Sequence, residues 1–190
     1  MKRIILASNS PRRKELLAKT GIIFEIIPSS YEEDMSMPVS PKELAVFLSK
    51  GKAELIANEN PEAIVIGVDT FIVFGDKVLG KPHTKEKAKE TLQMLSGKKH
   101  SVITGFTIIE KSVNKSISNA IETKVYFRNL DEKEIDEYIN TGEPLDKGGA
   151  YAIQGLGGKL VEKIEGDYSN IIGLPISDLL EALKQFGIEN

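Results

Sequence analysis

Asp69 stands inside one of the most apolar stretches of the chain, "AIVIGVDTFIVF" over residues 63–74. A carboxylate there is desolvated unless it is paired or binds a metal, and without a partner it costs several kcal/mol. Thr70 adds a second polar group beside it. The alternatives to a chemical role are a hydrogen bond to a neighbouring loop or exposure at a strand end.

A second anomaly lies near the N-terminus, in "ILASNSPRRKELLAKTG". Ile5 to Ala7 read as the end of a buried strand, and the residues from Pro11 to Lys19 as a helix. Ser8, Asn9 and Ser10 at the join place hydroxyls beside a helix N-terminus, a ready anion site. Arg12 and Arg13 then occupy the first turn, where a cation loses a few tenths to about 1 kcal/mol against the helix dipole. That cost is offset if a multivalent anion sits in front of them, or if both arginines pair with surface carboxylates.

Other candidates are weaker alone. Lys52 falls on the margin of an amphipathic helix, so its stem can lie on the core with the ammonium in a cleft. Pro82 biases Lys81 of "LGKP" toward an extended backbone, which displays its side chain in a defined direction. Glu32 and Glu33 form an acidic pair in a loop. The segment "LDKGGAYAIQGLGG" supplies Asp146, Lys147 and Gln154 among glycines but matches neither common phosphate-loop pattern. It also reads as a plain Gly-rich hairpin. His83 and His100 read as ordinary histidines. Together, two arginines and two lysines suit a polyphosphate of about four negative charges. One or two carboxylates suit Mg²⁺ and an oriented water. This set describes hydrolytic phosphoryl or nucleotidyl transfer without a covalent intermediate.

The elements that must position these groups alternate irregularly. Strands are expected at "KRIILA", at "IIFEII" (22–27), at 63–74, and in two long antiparallel segments, "HSVITGFTIIE" and "SISNAIETKVYF", joined near Asn114. Gly75-Asp76 marks a hairpin returning through "KVLGKP". The helix from Pro41 carries Ser40 as N-cap and a capping box closed by Glu43. Its expected core face is Leu44, Phe47, Leu48, Gly51 and Leu55. Further helices are expected at 84–95, ending before Gly97, at "DEKEIDEYINTG" with Asp131 and Glu134 as a second box, and at the C-terminus through Leu179, Leu180, Leu183 and Phe186. The pattern implies α/β with a mixed, largely antiparallel sheet and flanking helices.

Composition narrows the function. A net charge of −3 argues against a nucleic-acid binder, and 6% aromatic content leaves few stacking platforms for RNA. The absence of cysteine removes disulfides, thiolate nucleophiles and thiolate ligands, and two histidines alone do not build a typical zinc site. The apolar run Ile4–Ala7 is too short for a signal peptide or a membrane span, so a cytoplasmic location is expected.

Taken end to end, the sequence resembles the Maf-type nucleoside triphosphate pyrophosphatases. The resemblance rests on "LASNSPRRKELL", "KGKA", "IGVDT", "LGKP", "LSGKKHSVIT", "EPLDKGGAYAIQG" and "GDYSNIIGLPIS". It implies a single Maf-like domain over residues 1–190, as one body or two closely packed lobes. The implied fold is an elongated one like that of inosine triphosphate pyrophosphatases, with an active-site cleft between lobes. It implies hydrolysis of dTTP and UTP, with modified pyrimidine nucleotides as further substrates, to the monophosphate and pyrophosphate, with a divalent cation, Mg²⁺ or Mn²⁺. By position, Asp69 matches the family's catalytic residue, and Ser8, Arg13, Lys52 and Lys81 match phosphate-binding positions. Glu33 joins Asp69 as a metal-binding carboxylate, with Glu32 its neighbouring alternative. Arg12, Thr70 and Gln154 match positions of the branch that prefers dTTP and UTP. A Gln amide suits a pyrimidine, meeting both the N3–H donor and a carbonyl acceptor. Gly148 replaces a usual Ala, and "TLQMLSG" lacks a basic residue often found there; neither touches the proposed chemistry. Family members often form homodimers and have been linked to inhibition of septum formation. The alternative reading is therefore a nucleotide-sensing regulator of division that binds without turnover, and a second is a phosphatase releasing orthophosphate.

Overall fold

The computed structural model describes residues 2–189. Its elements run β1 (Ile4–Ala7), α1 (Pro11–Ala18), β2 (Glu25–Ile26), α2 (Pro41–Glu59), β3 (Ile64–Phe74), β4 (Lys77–Leu79) and α3 (Lys85–Leu95). There follow β5 (Lys99–Glu110), β6 (Lys115–Phe127), α4 (Glu132–Asn140), β7 (Val161–Glu165), α5 (Tyr168–Ile172) and α6 (Ile176–Lys184). The strand order is β2-β1-β3-β5-β6-β7, with β4 paired to β3. The sheet is mixed, as expected: β1 runs parallel to β2 and β3, while β3–β4 and β6–β7 are antiparallel.

The chain resolves into two compact units. The first comprises Met1–Thr70, Ile103–Ile121 and Ser169–Asn190; the second comprises Phe71–Val102 and Glu122–Tyr168. In the first unit the two-residue period of the strands sorts side chains between two layers. Ile4 and Leu6 of β1 and Ile64, Ile66 and Val68 of β3 join one cluster with Leu17 of α1, Leu179 and Leu183 of α6, and Phe186 just after it. Ile5, Ala7 and Val65 point the other way, into a cluster with Ala53, Ile56 and Ala57 of α2. In the second unit α3 packs against α4. There His100, Phe127 and Tyr151 stack edge to face, with centroids 4.8–5.4 Å apart.

Three local expectations are corrected. The strand expected over 22–27 is reduced to Glu25–Ile26, because β1 offers four residues and its register with this edge begins at Glu25. Ile22 and Phe24 instead pack on the core from non-strand backbone. The buried face of α2 is rotated from the one expected: Leu44, Ala45, Leu48, Ser49, Ala53, Ile56 and Ala57 are buried, while Phe47 is exposed. Its cause is a close approach to glycines in the sheet. A Cβ on Gly67 would lie 2.2 Å from Ser49 O, and one on Gly105 2.1 Å from Ala45 O. The helix therefore presents small residues, and its large Phe47 turns outward. In α4 the Asp131 side chain caps Glu134 N as expected. The reciprocal half of the box is not formed, since the Glu134 carboxylate pairs with Arg128 instead.

Candidate functional site

The parity of β3 explains the site. Asp69 follows Val65 and Gly67 on the face toward α2, whereas Thr70 follows Ile64, Ile66 and Val68 on the face toward α1. Each meets a different cation.

On the α2 face, Asp69 is buried and Lys52 Nζ donates to its Oδ1 at 2.5 Å. The same ammonium lies 2.6 Å from Glu33 Oε1. The Lys52 side chain is 13% exposed and that of Glu33 45%, so a sequestered cation joins one buried and one open carboxylate. The loop bearing Glu33 is held by Tyr31, whose ring covers Gly51 so closely that a Cβ there would lie 2.3 Å from it. Of the adjacent acidic pair, Glu33 is the one whose carboxylate reaches Lys52.

On the α1 face, the Arg13 guanidinium reads four acceptors. Nε donates to Gly173 O at 3.0 Å, Nη1 to Ser8 Oγ and Val68 O at 3.1 Å each, and Nη2 to Thr70 Oγ1 at 3.0 Å. The second Nη2–H has no protein acceptor among the described residues. Most of the Arg13 donors thus stitch β1, β3 and the Gly173 turn together. Its alternative pairing with surface carboxylates is not what it does. Desolvation pushes the Arg13 pKa down, and the Asp69 and Glu33 charges oppose that shift. Gly173, at φ 120°, takes a backbone conformation that brings its carbonyl onto Arg13. Thr70 Oγ1 also meets Thr104 Oγ1 at 2.9 Å, and Thr104 donates to Asn170 O at 3.2 Å. At the helix start, Ser10 caps α1 by accepting from Arg13 N, and Arg12 is exposed in the first turn.

Lys81 and Gln154 belong to the second unit. Lys81 is exposed between two backbone bonds, Gly149 N to Gly80 O at 3.2 Å and His83 N to Leu145 O at 3.0 Å. His83 and Ala150, which flank these bonds, both have φ near 61°, an uncommon conformation for residues with a Cβ. Gln154 is exposed in a turn whose next residues are clamped by Glu143. The Glu143 carboxylate accepts from Leu156 N at 3.1 Å, Gly157 N at 3.0 Å and Tyr138 OH at 2.8 Å.

The family model of the Maf-like proteins matches residues 3–186. This chain is a Maf-like protein. It is 49% identical over 189 residues to a "dTTP/UTP pyrophosphatase" of Bacillus anthracis, covering 100% of this chain and 98% of the relative. A Bacillus cereus relative of the same description is also 49% identical, with 100% and 92% covered. Among solved structures, the Staphylococcus aureus Ham1 protein aligns with a TM-score of 0.50 over 98% of this chain and 100% of its own, at 14% identity. That likeness bears on the α/β fold alone.

The donor set of this Maf-like protein fits a hard divalent cation. Two carboxylate oxygens already converge on one positive charge. Among the described residues no group of three His, Cys, Asp or Glu side chains comes together to hold a metal. A pair of carboxylates, with water and substrate oxygens completing the shell, is the arrangement Mg²⁺ takes in phosphate-handling sites.

Several contributors were missed from the sequence: Gly67, Gly105, Tyr31, Thr104, Gly173 and the Tyr138–Glu143 clamp. Glycine inside the strands 63–74 and 100–110 was the available signal, since it marks a close backbone approach. Nothing in the spacing pointed to Thr104 or Gly173. Among the described residues, no helix is long and apolar enough to cross a membrane.

Proposed function

We propose that this Maf-like protein is a nucleoside triphosphate pyrophosphatase that hydrolyses dTTP and UTP to the monophosphate and pyrophosphate. The activity is taken from the full-length relatives of that description, 49% identical over 189 residues. The structural observation that carries it is Asp69, buried in the central strand, sharing one ammonium with Glu33.

Glu33 and Asp69 would hold a divalent cation, Mg²⁺ or Mn²⁺. Bound there, the cation would offset phosphate charge and polarise the phosphoryl oxygens. Asp69 orients water toward the α-phosphorus and takes its proton. The water oxygen forms the new bond to the α-phosphorus as the bond to the bridging oxygen breaks, and that oxygen leaves with the electron pair on pyrophosphate. Lys52 and the remaining Arg13 donor, with Ser8 beside the N-terminus of α1, stabilise the phosphate charge. Lys81 is assigned a further phosphate contact. Arg12, Thr70 and Gln154 are assigned to substrate preference. Thr70 acts in this reading through the Arg13 bond it accepts. The lack of cysteine suits a cytoplasmic location.

Product analysis tests the reading. Incubation with dTTP and Mg²⁺ is expected to yield dTMP and pyrophosphate in equal amounts. Binding without products would favour a nucleotide sensor, and release of dTDP with orthophosphate would favour a phosphatase.

A further inference from the structure

Lys52 stands where a cation bridging Glu33 and Asp69 would have to stand. Its Nζ is 2.6 Å from Glu33 Oε1 and 2.5 Å from Asp69 Oδ1. An ammonium and a divalent cation sharing these oxygens would lie within a few ångströms of each other and repel strongly. Nor is this a loose surface pair. The backbone carrying Lys52 is pinned by Gly67 against Ser49 O and Ala53 N, and the loop carrying Glu33 is pinned by Tyr31 over Gly51. With both backbones held, rotation of side chains relieves the conflict, and for the buried Asp69 that means rotation of the long lysine away from it.

We infer that Lys52 is a resident competitor of the divalent cation. It neutralises Glu33 and Asp69 while the site lacks nucleotide, and yields them when a triphosphate offers anionic oxygens to Nζ. This rests on the proposed assignment of the metal to those two carboxylates. Its consequence is that metal and nucleotide load together. The free protein holds the metal weakly, and the burial of an unpaired Asp69 carboxylate, which would be costly, never arises.

The test is a Mn²⁺ titration of the nucleotide-free protein, followed by the electron paramagnetic resonance signal of free Mn²⁺. Lys52→Met keeps the apolar stem and removes the charge, and is expected to bind Mn²⁺ at least about tenfold more tightly than the parent. Lys52→Arg retains the cation and is expected to stay as weak as the parent. Adding Glu33→Gln to Lys52→Met is expected to remove the gain. If Lys52→Met does not fold, judged by circular dichroism, Lys52→Gln carries the same expectation. Equal affinity of the parent and the neutral variant would overturn the inference, as would a Lys52→Arg protein that binds as tightly as Lys52→Met. No Mn²⁺ binding in any variant would overturn it together with the metal assignment. Pyrophosphate release from dTTP is measured separately, so the activity can hold where this inference fails.

Discussion

Asp69 and Thr70 are neighbours in the chain but serve opposite faces of β3, Asp69 meeting Lys52 of α2 and Thr70 meeting Arg13 of α1. One strand therefore fixes two cations on its two sides. The arginine is largely spent on structure, whereas the lysine faces an open carboxylate.

Arg13→Lys keeps a positive charge but cannot span four acceptors. Hydrogen bonds to a charged group contribute about 1.5–3 kcal/mol each, and several are lost here, though an ammonium can recover some. A net loss of about 2–3 kcal/mol is expected, which lowers the thermal midpoint by roughly 5–10 °C in a chain of this size. Arg12→Ala, at an exposed position, should change stability by less than about 0.5 kcal/mol while slowing dTTP hydrolysis. Thermal unfolding and steady-state rates of the two variants separate these roles.

Gly67→Ala forces a methyl group against Ser49 O and Ala53 N of α2. Overpacking of this kind costs about 1–3 kcal/mol, and the shift of the helix should move Lys52 away from Asp69 and lower kcat. Gly80→Ala meets nothing within 4 Å and should leave stability unchanged. Urea unfolding of both variants checks the contrast.

These glycines also show how far the sequence could be read. The apolar run around Asp69, the hydroxyl-bearing turn at a helix start before two arginines and the Ser40–Glu43 box were all legible, because each is a local pattern with a local cause. So was the mixed α/β class. The orientation of α2 was not, because it is set by glycines on other strands, remote in sequence. The commitment of Arg13 to Val68 and Gly173 carbonyls was equally hidden, since backbone acceptors leave no trace in residue types.

His100 is buried in the second unit beside Tyr151, and burial pushes its pKa down to about 4. A folded-state value below the ordinary one means that the unfolded chain binds the extra proton first as pH falls. The stabilisation is fully present above about pH 6.5 and is lost between there and pH 4, amounting to about 3 kcal/mol at roughly 1.36 kcal/mol per unit. Urea unfolding from pH 7.5 to 4.5 should show this extra loss in the parent, and His100→Gln should remove it.

Glu143→Ala removes the acceptor for Leu156 N, Gly157 N and Tyr138 OH together. Amide hydrogen exchange at Leu156 and Gly157 is expected to quicken by tenfold or more, in line with loss of about 1.4 kcal/mol of local protection. If Gln154 reads the base, KM for dTTP should rise more than kcat falls. Unchanged exchange at both amides would show that the clamp does not hold the turn.

The central claim is that Asp69 directs water at the α-phosphorus, and hydrolysis of dTTP in ¹⁸O-labelled water tests it most directly. The account predicts label in dTMP, unlabelled pyrophosphate, and a rate at least about 100-fold lower in a folded Asp69→Asn protein. Label in pyrophosphate or orthophosphate, or an Asp69→Asn protein hydrolysing at the parental rate, would contradict it.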